Sequence, residues 1–294
     1  MAAIETNTKS SQHIRSNSLP SVPHPFTSQF EEHLRRLKDS EAISSSTSSS
    51  INYKLNALQD LHECADKLLL LPITQQALAR ECSNECVDGL LDGSVRILDI
   101  CSTIKDCLLQ QKERVHELES AIRRRDAEAG FTIASGKYLA SRKQVKKAIR
   151  KALGNLKGFK NELIVASSNK DNEKLSMLSF LKESELVTKS SLKALLLFIT
   201  GSKGQSKQNG WSIISKLMQP NRVGCDSQEA DTNEFEKLDA ALMSLINHKS
   251  SSTDNFQSHM ENLGMCIENL EVGVECLSRQ LIRTRVSLLN IFNH

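Results

Sequence analysis

Two stretches of about forty residues each carry apolar side chains on a seven-residue repeat, and a chain with two such stripes has few folds open to it. Between Asn84 and Asp126, one register holds Val87, Cys101, Leu108, Val115 and Ile122, and the register three residues on holds Leu90, Ile97, Ile104 and Leu118. Toward the C-terminus the same spacing returns with Met260, Ile267, Val274, Leu281 and Leu288 on one register and Leu263, Leu270, Leu277 and Ile291 on the other, broken by Thr284. Heptad spacing of this kind makes a continuous apolar seam on one side of a helix. At about 1.5 Å per residue each helix is about 60 Å long, and two such seams bury each other most simply side by side. Gly89 and Gly93 interrupt the first seam; each costs about 1 kcal/mol relative to alanine, which marks a kink or a close helix crossing.

The remaining segments also read as helix. Ser28 with Glu31 forms a capping box ahead of Phe30, Leu34 and Leu37, which predicts a helix from Ser28 to Ala42. The polar run Ser44 to Ser50 reads as a flexible joint, followed by a helix from Ile51 to Leu71 that stops at Pro72, and a short helix to Glu81. Further helices are expected over 135–166, 172–200 and 211–218. Alternating runs of β-branched residues bounded by turn dipeptides are missing. The fold class is therefore all-α, an elongated antiparallel bundle over residues 26–294. Pro20, Pro23 and Pro25 fix the backbone and remove donors, so residues 1–25 are expected to be a disordered arm.

Composition narrows the function. Apolar residues make up 39% of the 294, enough for a core, and the net charge of +3 is too small to imply nucleic acid. Aromatic content of 4% leaves little for a base-stacking platform. None of the eight cysteines forms a CxxC, and no apolar leader follows the N-terminus, so reduced thiols in the cytoplasm are expected. His62, Cys64, Cys82 and Cys86 do not follow a zinc-ligand spacing, and no metal is expected. The longest apolar run, Ala194 to Ile199, is far shorter than the roughly 20 residues that cross a bilayer.

Three stretches taken together, "RSNSLPSVPHP", "LLDGSVRILDICSTIKDCLLQQKERVHELESAIRRR" and "LIRTRVSLLNIFNH", resemble the plant BYPASS-related family. The resemblance covers nearly the whole chain from Arg15 to His294. It implies a helical plant protein that acts in root and shoot development, and it supplies no catalytic residue.

The motifs of common enzyme classes are missing: no GxSxG, no GxGxxG after a strand, no HExxH and no P-loop. "TGSKGQSKQNG", Thr200 to Gly210, lacks the lysine ending and the preceding strand of a phosphate cradle, and reads as a connection between helices. The expectation is a non-enzymatic protein with no cofactor, acting through protein contacts. From Ala129 to Asn161 basic residues occur with no acidic one, and Lys143, Lys147, Arg150 and Lys157 gather away from the apolar side of their helix. That face suits an anionic membrane surface, which makes a peripheral membrane protein the alternative; Glu261, Glu268, Glu271 and Glu275 of the last helix offer a way to neutralise it instead. "AIRRRD", Ala121 to Asp126, spreads its arginines around a helix and makes no groove reader, so nucleic acid is not expected. A heptad seam also allows a homo-oligomer. In the arm, Arg15, Ser18 and Pro20 match a phosphoserine-docking pattern whose reader would be a 14-3-3 protein.

Overall fold

The computed structural model describes residues 24–42, 47–124, 128–157, 177–201, 232–247 and 253–293. The described residues form helices with no strand: α1 Pro25–Ala42, α2 Ser48–Leu69, α3 Pro72–Glu81, α4 Asn84–Arg123, α5 Glu128–Lys157, α6 Met177–Thr200, α7 Glu234–Ile246 and α8 Thr253–Phe292.

Several boundaries differ from expectation for identifiable reasons. Pro25 opens α1 instead of excluding it, because a first-turn residue needs no intrahelical donor and proline already has helical φ. Ser28 is consequently inside the helix and caps nothing. The serine-rich joint ends early: Thr47 Oγ1 accepts from the Ser50 amide at 3.2 Å, so Ser48 to Ser50 belong to α2. α5 starts at Glu128, seven residues before the expected Ser135. α7 was not anticipated at all, although Asn233 and Glu236 make a full capping box and Phe235, Leu238 and Leu242 recur at helical spacing. The expected helix over 211–218 lies outside the described residues.

α4 and α8, 40 residues each, are the spine. Cross-links in order along the pair show them antiparallel: Lys112 with Glu271 (2.8 Å), Lys105 with Glu275, and Arg285 with Ser94 Oγ (2.7 Å). α5 lies antiparallel on the other side of α4, with Gln111 donating to Ser141 Oγ (2.9 Å) and Lys137 near Glu117 (3.8 Å). α2 runs parallel to α8, its Gln59 donating to the Gly273 carbonyl and its Asp66 accepting from Ser287. A Cβ on Gly273 would come 2.9 Å from Leu55 Cδ1, so glycine permits this close approach.

Both registers of α8 are buried throughout, Thr284 included. In α4, Leu90, Ile97, Cys101, Ile104, Leu108, Val115 and Leu118 are buried, while the end members Val87 and Ile122 are half-buried. Gln111 fills the one polar position of the second register and turns its amide to α5. α4 continues through Gly93, which sits where the Glu185 side chain of α6 crosses; an added Cβ would meet its carboxylate at 2.6 Å. One apolar cluster joins side chains of every helix except α3, and a smaller one around Leu69, Leu78, Leu90 and Leu288 seals α3 against the end of the spine.

Candidate functional site

The basic face of α5 follows from its sequence period. Val145 and Ile149 are fully buried, which turns Lys143, Lys147, Arg150 and Lys151 outward as exposed side chains. Lys143, Lys147 and Arg150 make no ion pair or hydrogen bond among the described residues. The side chain of Lys157 lies outside the described residues. The carboxylates that offered to neutralise this face do not: Glu268 and Glu271 pair with Lys112, Glu275 pairs with Lys105 and Arg279, and Glu261 accepts from Gln257. The acidic side of α8 therefore serves α4, and the cations of α5 remain open.

Two other basic residues of α5 have a different role. Arg142 is 2% exposed, and its Nε and Nη2 grip Asp239 of α7 at 3.0 to 3.1 Å while Nη1 donates to the Ile199 carbonyl at the end of α6 (2.9 Å). Its guanidinium lies 5.1 Å from the Phe235 ring centre. Tyr138 donates to Asp239 Oδ1 (2.9 Å) and Lys146 approaches Oδ2 (3.4 Å). Burial, with the Asp239 charge beside it, holds the Tyr138 hydroxyl well above its ordinary range. Asn233 closes the corner by donating to the Phe198 carbonyl at 2.7 Å, and Gly201, with φ of 73°, ends α6 in a left-handed cap beside Glu236. This network joins α5, α6 and α7.

The second open surface is the outer face of α8. With α4 on one flank and α2 on the other, the helix turns Met265, Val272, Ile282 and Val286 to solvent, exposed by 58%, 65%, 50% and 49%. The sequence reading followed only the inward registers and missed this stripe. Met265 also lines a depression of about 370 Å³ between α2, α7 and the start of α8, of mixed polar and apolar lining; there Glu234 accepts from Ser48 (2.7 Å) through one carboxylate oxygen.

Among the described residues, Cys82 and Cys86 approach within 3.9 Å of each other, but His62 and Cys64 do not join them. His62 Nε2 lies 2.8 Å from Thr188 Oγ1 of α6, whereas Cys64 donates to the Phe26 carbonyl of α1. Thr188 spends its hydroxyl proton on the Ser184 carbonyl (2.6 Å), so it accepts from His62, which carries its proton on Nε2. Burial pushes the His62 imidazole down to about 4. Burial likewise pushes the Cys101 and Cys107 thiols up to about 11 and that of Cys266 up to about 12, which leaves them protonated. Among the described residues, no group of three potential ligands comes together. No described helix is long and apolar enough to cross a membrane. Arg15, Ser18 and Pro20 lie outside the described residues.

Fold and surfaces define the class: an all-helical protein with a long antiparallel spine, a basic face on one helix and an apolar stripe on another. The family model described as Protein BPS1 matches residues 54–291. The chain belongs to this family, the one its three stretches resemble. No curated protein and no solved structure matches the chain.

Proposed function

We propose that this chain is a non-enzymatic contact protein of plant development, working through helix faces that its own core leaves open. Membership of the BPS1 family supports the biological setting. The observation that carries the contact reading is the stripe of Met265, Val272, Ile282 and Val286 on α8. Single exposed apolar residues are ordinary on a protein surface, but a row of them down one helix face is the form in which helices recruit a partner. Affinity capture from plant extract, with the full chain compared against Val272→Glu/Ile282→Glu, tests it. Partners retained by the parent and lost by the variant support the reading; identical recovery by both contradicts it.

A second reading, a peripheral membrane role, is favoured by the unpaired cations of α5. Each such residue near an anionic leaflet contributes about 1 kcal/mol, weakened by salt. Flotation with vesicles containing anionic lipid is expected to carry the chain, and Lys143→Glu/Lys147→Glu/Arg150→Glu to stay behind. Equal behaviour on neutral vesicles removes this reading.

A further inference from the structure

We propose that the outward face of α8 pairs with the same face of a second copy of this chain, antiparallel, about a twofold axis near Leu277. The proposal rests on the contact reading of the α8 stripe and names its partner.

The argument is charge order along one helix. On its outward face, α8 carries Glu261, Glu268 and Glu275 before Leu277 and no lysine or arginine, and after it Arg279 and Arg283 and no acidic residue; Glu271 and Arg285 turn to α4. Helix-dipole preferences fade within a turn of each end, so they do not account for a division at the middle. Turned end for end, a second α8 lays its basic half on the acidic half of the first, and the match occurs twice by symmetry. Parallel pairing would instead set acid on acid and base on base.

The apolar stripe fits the same register. Centred on Leu277, the pairing sets Val272 of one copy opposite Ile282 of the other and Glu275 opposite Arg279. Arg283 is exposed on the α2 side, where its charge acts on Glu63 of the same chain, whereas Arg279 is 70% exposed and, among the described residues, bound only by Glu275 of its own helix. Glu268 is 61% exposed and only loosely held by Lys112 at 3.6 Å, which leaves it open to a cation from outside. Opposite charges at such an interface fix orientation more than they add affinity, and the apolar stripe supplies the burial. An unrelated partner would need its own matching surface; a second copy already has it.

Light scattering and sedimentation on the full chain, over a concentration series, give the mass. The expected value at the upper end is twice the 32.7 kDa of one chain. Val272→Glu/Ile282→Glu should return the mass to one chain with unchanged helicity, because both positions are solvent-facing. Arg279→Glu and Glu275→Lys should each be monomeric alone and form a dimer when mixed, since only the mixture restores opposite charges at both copies of the 275–279 contact. On the unmodified sequence, Cys276 of the two copies falls beside the axis, so a short bis-maleimide should link two chains, and Cys276→Ser should not link. One-chain mass at every concentration, a larger species indifferent to Val272→Glu/Ile282→Glu, or reversed variants that stay apart on mixing would overturn the pairing. A monomeric chain whose capture of another protein still depends on Val272 and Ile282 would overturn the pairing alone; loss of both results would remove the contact reading as well.

Discussion

The α4–α8 spine and the α5–α6–α7 corner both join helices distant in sequence, by opposite chemistry. Along the spine, small apolar contributions repeat every few residues and the ion pairs stay at the margin, as with Lys112 and Glu271. At the corner, one buried guanidinium, Arg142, meets the Asp239 carboxylate, the Ile199 carbonyl and the Phe235 ring at once. A repeated seam degrades gradually when one position changes. A network around a buried charge fails as a unit, because removing one member strands the others without water.

The largest expected effect follows from that contrast. Asp239→Ala leaves Arg142 buried and unpaired and should cost about 3 to 5 kcal/mol in chemical denaturation. Arg142→Met/Asp239→Leu should recover most of that loss, since two apolar groups replace the pair without an orphan. A double variant as unstable as the single one would show that packing, not charge, holds the corner.

On the spine, Leu270→Ala or Leu277→Ala should each cost about 2 to 5 kcal/mol, the usual penalty for deleting a fully buried leucine side chain. An unchanged melting temperature for both would show the seam to be open.

A smaller effect comes from the polar contact between α2 and α6. The His62 imidazole is held at about 4 against an ordinary 6.5, so as the pH falls the unfolded chain takes up a proton before the folded one. Stability from this site is complete above the unfolded value and is lost as the pH falls from 6.5 toward 4, by up to about 3 kcal/mol. His62→Gln should flatten that part of the pH profile; a slope unaltered by the substitution would place the titration elsewhere.

The smallest effect belongs to the margin of the spine. Lys112→Met removes the pair with Glu271 and should change stability by only about 0.2 to 1 kcal/mol, in the range of partly exposed pairs. A loss as large as that of Leu270→Ala would erase the distinction between seam and margin.

What was legible in the sequence divides along the same line. The inward positions of α8, from Met260 to Ile291, were readable because a periodic pattern reports burial without knowledge of the partner. α7 was readable in principle, from Asn233, Glu236 and the spacing of Phe235, Leu238 and Leu242, but its shortness hid it. Arg142 was not readable. Sequence period grouped it with its basic neighbours on α5, and only the meeting with Asp239, almost a hundred positions along the chain, separates the buried arginine from the open ones. Lys143, Lys147 and Arg150 are exposed, and the carboxylates of α8 do not reach them because α4 lies between, its Lys105 and Lys112 pairing with Glu275 and Glu271. Pro25 shows a local limit: the same residue that bars a helix interior opens one.

The difference between spine and corner is tested most directly by amide hydrogen exchange, followed by mass spectrometry, on the full chain and on Asp239→Ala. The expected result is loss of protection in α7, the end of α6 and the facing turns of α5, with Leu263 to Leu288 of α8 still protected. Equal loss along α8 and the corner would contradict the account, because spine and corner would then be one cooperative unit held by the same interactions.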